Sequence, residues 1–488
     1  MKLERQLIAL LLSGILLLSA CGGHGAWSSN NDGGNTAPSA PANIAGNAGD
    51  GAVSFGWDAP AASTEPLGYN ITIAPAAAAA QITVNGTHAL VRGLSNDTTY
   101  TFSVTAKNNA GESTANTVLL QPTAVDINTA KYPPIVVNNG QNVDTNNVNG
   151  ISDPALLSSS GKTWMAYSSI HASQQAGNSV QDVSTSLAFS TNGGASYTYL
   201  RTLGAATIAP DIVMSSTASP CGSSICSGRW VYEAPFLVDD RGDPNASQRF
   251  KLFTHKHFLF PANPDTSTLS AIVMWTAPSL DSNWSAEKSV LSWDSTPQKL
   301  VSNNNIGTID PALTECIALK EGSAAAYNSG LDFVFACDNG TTRKIVLLRS
   351  TDHAVTFKYI ATLLEAIDAD AFSADYFSAP ALLPSESNAP VLLVTPVQTR
   401  PISTNGVTIN SAADSGCIAF PIADEATGTL FRSSSAPLEI LQILPITNHN
   451  NGACGWDRGV NGSGILISDE DGTTSTVKFS ILNSAKQF

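Results

Sequence analysis

The sequence predicts an all-β chain in which a small β-sandwich precedes a β-propeller of five blades. Three observations carry that expectation. First, one short phrase returns five times: Ser152-Asp153-Pro154-Ala155-Leu156, Glu233-Ala234-Pro235-Phe236-Leu237, Asp310-Pro311-Ala312-Leu313, Ser378-Ala379-Pro380-Ala381-Leu382 and, more loosely, Gly452-Ala453-Cys454-Gly455-Trp456. Its anchors at 154, 235, 311, 380 and 454 lie 81, 76, 69 and 74 residues apart, too long for a helical solenoid repeat and enough for four strands with generous loops. Second, residues 41–124 read as short stretches of alternating apolar and polar residues between turn signals. Third, only 13% of the 488 residues are charged, and polarity comes from hydroxyls and amides, as in turn-rich extracellular β proteins.

The N-terminus gives an address. Lys2 and Arg5 precede an apolar run from Leu7 to Leu18, too short for a comfortable membrane span and suited to a secretory signal at 1–20. Leu18-Ser19-Ala20-Cys21 resembles the bacterial lipobox, which implies that Cys21 becomes the lipidated first residue of the mature chain. Gly22 in place of an aspartate implies export to the outer membrane. The chain is therefore expected to be tethered to the envelope by its lipid only. Residues 21–40, mostly Gly, Ser, Asn, Asp and Pro, read as a flexible tether.

The sandwich comes next, at 41–124. Val53, Phe55 and Trp57 alternate onto one face, and Gly68–Ile73 forms another alternating run. Leu94 precedes Tyr100 by six residues, and Asn108-Asn109-Ala110-Gly111-Glu112-Ser113 follows as a turn. These features closely resemble a fibronectin type III domain, which implies a seven-stranded sandwich serving as a spacer or adhesive module.

Residues 130–488 hold the propeller. The strands read as Asp153–Leu157, Lys162–Ser168, Thr185–Ser190 and Tyr197–Leu203 for blade one, and the third blade is expected to begin at Asp310–Ile317. Pro134–Asn138 is a candidate closing strand. Ser190-Thr191-Asn192-Gly193-Gly194-Ala195-Ser196-Tyr197 and Ser350-Thr351-Asp352-His353-Ala354-Val355-Thr356-Phe357 resemble the Asp-box turns of sialidase-type propellers. Their Asn or Asp is expected to hold its own turn while the aromatic packs beneath, a structural role. No Arg-Ile-Pro phrase or arginine triad accompanies them, so the boxes alone do not imply sialidase chemistry.

Of seven cysteines, six remain after Cys21, an even number suited to an oxidising compartment. Cys221 with Cys226, Cys316 with Cys337, and Cys417 with Cys454 are the expected disulfides; a metal site is the rival reading, without a CxxC or paired-His spacing to support it. The net charge of −15 excludes a nucleic-acid partner, because no clustered basic residues are available for phosphates.

Innermost strands of a propeller meet around its axis, so Asp153, Glu233 and Asp310 are expected at one mouth. Hydrolysis of a glycosidic bond needs one protonated and one ionised carboxyl, and a third acid raises the proton donor's pKa. The Asp-Pro-Ala and Glu-Ala-Pro phrases resemble those of arabinanase- and xylosidase-like five-bladed glycosidases. That resemblance implies Asp153 as general base and Glu233 as general acid; Asp310 is expected to crowd Glu233 from the other side and tune it, a role not carried over from the family. It is imperfect: the family's acids run Asp, Asp, Glu over blades one to three, and these run Asp, Glu, Asp. His171, His255 and His257 end strands near the mouth, and Trp456, Asp457 and Arg458 are candidates for stacking and charge there. No cofactor or metal ligand set is assigned, although a structural calcium is compatible with so many oxygens. The expected partner is a glycan, met by a monomer; the competing readings are glycan capture without turnover and a purely architectural repeat.

Overall fold

The computed structural model describes residues 36–60, 68–125, 134–138, 148–175, 178–213, 225–259, 270–292, 304–327, 330–383, 389–404, 407–434, 436–447, 449–459, 462–471 and 478–483. Cys21 and its signal, most of the tether and Cys221 lie outside the described residues, as do the side chains of Cys226, Asp457 and Arg458.

The N-terminal strands form two sheets. One runs Ala42–Ala48, Ala52–Asp58, His88–Arg92, Gln81–Asn85; in the other, Tyr100–Asn108 is flanked by Gly68–Ala74 and Asn116–Leu120. Val53, Phe55 and Trp57 are buried with Tyr100, Phe102 and Val104, as their alternation requires. The Tyr100 hydroxyl accepts from Ser95 N–H at 3.1 Å, fixing the corner that enters its strand. This sandwich is more than a hanging spacer. Ala52, Leu90 and Val125 share a core with Ile440, Leu441 and Ile443 of the second domain, Asp50 N–H donates to Ile440 O at 2.8 Å, and Arg92 pairs with Glu439.

The remaining strands form five blades around one axis. The innermost strands are Val148–Ser159, Ile225–Asp239, Ala318–Tyr327, Tyr376–Leu383 and Asn450–Gly459, each in contact with the next and the last with the first. Blade one continues through Lys162–Gln175, Asn178–Ser190 and Tyr197–Gly204, matching the strand order expected of it. Pro134 bridges Leu482 of blade five, and Val137–Asn138 pairs in parallel with Tyr197 and Thr198 of blade one. The segment preceding the first blade thus sews the last blade to the first. Closure removes the exposed sheet edges that an open array would leave.

The third blade corrects the sequence reading. Asp310 does not begin its inner strand: it caps a short 3-10 turn, Pro311–Leu313, accepting from Ala312 N–H at 2.8 Å. The inner strand is Ala318–Tyr327, paired as a hairpin with Gly330–Asp338. Both Asp-box turns lie at the outer hairpins. Asn192 accepts from Ser196 N–H and Asp352 from Thr356 N–H, and Tyr197 and Phe357 are buried beneath.

Two disulfides are present among the described residues. Cys316–Cys337 pins the loop before blade three to its second strand, and Cys417–Cys454 joins blade four to blade five. Between blades two and three, Phe236, Phe253, Phe333 and Phe335 form one aromatic cluster. Phe333→Ala is expected to cost about 3–5 kcal/mol in chemical denaturation. The Cys316→Ser/Cys337→Ser double variant, which frees a 21-residue separation, is expected to cost about 3 kcal/mol in the same assay.

Candidate active site at the propeller mouth

Each inner strand is broken by one extra residue. The pairing with the second strand slips between Ser152 and Ala155, Glu233 and Phe236, Lys320 and Ser323, Ser378 and Ala381, and Gly452 and Gly455. In each slip one non-glycine residue is left-handed: Asp153 (φ 52°), Ala234 (φ 48°), Glu321 (φ 46°), Ala379 (φ 43°) and Ala453 (φ 42°). An L side chain in that region costs of order 1 kcal/mol, so five repeats of it mark a feature the ring geometry imposes. Beyond the bulge, the inner strands line the axis with small and apolar residues, Ala155, Leu156, Phe236, Ala324, Ala381 and Leu382 among them. At and before the bulge they carry the charges.

Two of the five bulge residues are acids, Asp153 on blade one and Glu321 on blade three; Glu233 sits one residue before its bulge on blade two. Asp153 is set by blade one's own second strand. Ser168 Oγ donates to Asp153 Oδ2 at 2.6 Å and accepts from Ala234 N–H at 3.0 Å, tying blade one to blade two. Burial pushes the Asp153 carboxyl up to about 6; Ser168 opposes this, and the negative charges of Glu233 and Glu321 add to it.

Glu321 has the opposite environment. Burial would raise it, but the Arg343 guanidinium, 3.2 Å away, and the Ser378 hydroxyl hold it below the ordinary carboxylate range. Its Oε2 also accepts from Ala379 N–H at 3.0 Å, the amide of the neighbouring bulge. Arg343 in turn stacks over Tyr376, 5.2 Å from the ring centroid. Glu233 is likewise brought down against its burial by the His257 and His255 imidazoles and by Lys320. Asp414, at the end of blade four's extended hairpin, rises to about 7 through burial and the charge of Glu321.

The mouth therefore gathers Asp153, Glu233 and the unforeseen Glu321, and leaves Asp310 aside. His255 and His257 are buried directly behind Glu233. His171 lies at the rim, its Nε2 2.9 Å from Ser169 Oγ. Trp456 is no stacking platform: it is 4% exposed and donates to Ala381 O at 3.0 Å, between blades four and five. Glu321 escaped the repeat because Lys320-Glu321-Gly322-Ser323 has glycine where the other well-formed phrases have proline. The signal was the turn before Leu331. A strand ending at Ile317 would have left about a dozen unstructured residues before its hairpin partner, which short hairpin loops argue against.

Residues 39–120 match the fibronectin type III domain family, so the N-terminal sandwich is such a domain, joined to a five-bladed propeller. No curated protein matches the chain. Similar solved structures include a thermostable family-43 glycoside hydrolase, 8% identical, covering 69% of this chain and 88% of that one with a TM-score of 0.40. An α-L-arabinofuranosidase from Podospora anserina is 9% identical, covering 73% of this chain and 98% of that one with a TM-score of 0.41. An α-L-arabinanase mutant from Cellvibrio cellulosa is 13% identical, covering 68% and 91% with a TM-score of 0.39.

The raised Asp153 pKa has a consequence for stability. The folded chain binds the Asp153 proton more tightly than the unfolded chain between the ordinary carboxyl value of 3.8 and about 6. This group's contribution therefore falls as pH rises through that window and stays unfavourable above it. Asp153→Asn is expected to raise stability at pH 7.5 by about 1–3 kcal/mol and to change it far less at pH 3.5, as read from thermal melts at the two pH values.

Proposed function

We propose that the propeller mouth is a glycoside-hydrolase site in which Asp153 and Glu321 form the acid–base pair. The observation that carries this reading is their equivalence. They are the same left-handed residue of blades one and three, and their surroundings push their pKa values in opposite directions. One carboxyl that keeps a proton towards neutrality beside one that does not is the arrangement glycosidic cleavage uses. Asp153 then protonates the leaving oxygen, and Glu321 activates water or attacks the sugar. Glu233 stays ionised, so the donor role expected of it passes to Asp153, and its charge helps hold the Asp153 proton. Over blades one to three the acids now run Asp153, Glu233, Glu321, nearer the Asp, Asp, Glu order of the resemblance, but with Asp153 as donor where the resemblance implied a base. A neutral glycan fits a chain of net charge −15 whose mouth is lined with acids.

With Asp153 as donor, kcat/KM is expected to fall as pH rises above about 6. Asp153→Asn is expected to lose about 10²–10⁴-fold on natural linkages while keeping most turnover of an aryl glycoside whose phenol leaves without protonation. Glu321→Gln is expected to lose both. The reverse pattern would make Asp153 the base. A second reading, glycan capture without turnover, is favoured by one observation: Glu321 already receives Arg343, Ser378 and Ala379 N–H. It predicts no release of reducing sugar by the parent and unchanged retention of Glu321→Gln on the same glycan in affinity electrophoresis.

The proposed setting is the bacterial envelope, with a monomeric chain held to the outer membrane through lipid on Cys21. The charged start, apolar run and Leu18-Ser19-Ala20-Cys21 support it. Cys21→Ser is expected to abolish metabolic labelling with a fatty acid and to move the protein out of the membrane pellet. Persistence of both label and pelleting would contradict the anchor.

A further inference from the structure

Among the described residues, two groups of acids and histidines lie close enough together to hold a cation, and they differ in what already fills them. In the group of Asp240, Asp243 and His353, the fully buried Lys251 ammonium sits 3.1 Å from Asp240 and 2.6 Å from Asp243, and His353 Nδ1 sits 3.0 Å from Asp240. A side-chain cation already occupies that position. In the group of Glu233, His255 and His257, no side-chain cation fills the centre, and three buried ring nitrogens make no hydrogen bond. His255 is 1% and His257 6% exposed, yet both nitrogens of His255 and Nδ1 of His257 lack a hydrogen bond. Buried polar atoms without partners are rare, and an ion is one of the few explanations for three in one place.

The fold sets this geometry. His255 lies directly across the antiparallel ladder from Glu233, and His257 is two residues further along, on the same face of the strand. The two imidazoles stack with centroids 4.8 Å apart and planes 25° from parallel, and the Nδ1 of each lies near the same carboxylate oxygen. His255 Nδ1 is 3.6 Å and His257 Nδ1 3.4 Å from Glu233 Oε1. Those separations are too long for good hydrogen bonds. They match the edge of a tetrahedron around an ion with bonds of about 2.0–2.1 Å, which is about 3.3 Å long. The Glu233 side chain keeps 33% of its surface exposed, leaving a fourth position facing the mouth. Lys320, whose charge acts on Glu233, is held 2.7 Å from Asp338.

We propose that Glu233 and the Nδ1 atoms of His255 and His257 form a three-ligand site for a first-row divalent cation, with Zn²⁺ the best match. Two imidazole nitrogens and one carboxylate oxygen suit zinc and disfavour calcium, which takes six or more oxygens. All three ligands lie on blade two, at the mouth where Glu233 bears on Asp153 and Glu321, and binding at them can be read without any glycoside turnover.

The test is Zn²⁺ binding by the chelator-stripped mature chain, followed by calorimetry, with Co²⁺ as a spectroscopic probe. The parent is expected to bind one Zn²⁺ per chain, to melt at higher temperature with it, and to give the intense visible bands of tetrahedral Co²⁺. Glu233→Gln and His257→Asn are each expected to weaken binding at least tenfold while the metal-free melts stay close to the parent's. His255→Gln, at the most buried position, serves as a third variant if its metal-free melt is also unchanged. Absence of binding by the parent, equal binding by the variants, or preference for Ca²⁺ over Zn²⁺ would each overturn the proposal.

Discussion

The constraint on which this architecture depends is the single extra residue in each inner strand. Five strands converge on one axis, and each must bend away from its neighbour without losing the hydrogen bonds of its own blade. The left-handed residue does this at Asp153, Ala234, Glu321, Ala379 and Ala453, with φ between 42° and 52°. Because the bend rotates the strand, residues before it face the mouth and residues after it face the axial core. The same backbone feature thus separates a charged rim from an apolar stem.

That separation explains why the charges persist. Asp153, Glu233 and Glu321 are near enough to disturb one another's ionisation, and no packing requirement calls for three acids at one end of a channel lined by alanine and leucine. Each is managed differently. Ser168 steadies Asp153 without neutralising it. Arg343, Ser378 and a bulge amide hold Glu321 as a carboxylate. Glu233 faces His255 and His257, of which three ring nitrogens make no hydrogen bond. Away from the mouth, Lys251 is held between Asp240 and Asp243, and Arg349 on Asp332. At Glu233, three buried ring nitrogens without a hydrogen bond gather in one place, and such clusters call for an explanation.

Much of the fold was legible because it rests on local patterns. Alternation placed Val53, Phe55 and Trp57 in the sandwich core, the repeat phrase located four of the five bulges, and cysteine positions suggested both described disulfides. The failure at blade three has a physical cause. The bulge needs a residue that tolerates a left-handed backbone and a neighbour that releases a ladder hydrogen bond. Proline, which has no N–H to donate, stands there in three blades, whereas Gly322 and Cys454 take the position in blades three and five. Asp310-Pro311-Ala312-Leu313 imitates the phrase because an aspartate before a proline also caps a 3-10 turn. Trp456 was misread for another reason: a strand pattern does not say which side of a blade faces its neighbour. The unpaired histidines were visible only as strand residues, since their common direction follows from register across the ladder.

The central claim, that Asp153 and Glu321 work on one glycosidic bond, is tested most directly by a crystal structure with a neutral oligosaccharide bound. The account predicts a glycosidic oxygen within hydrogen-bond reach of Asp153, with Glu321 facing the same anomeric carbon. A sugar bound away from the mouth, or one contacting Asp153 but remote from Glu321, would contradict it.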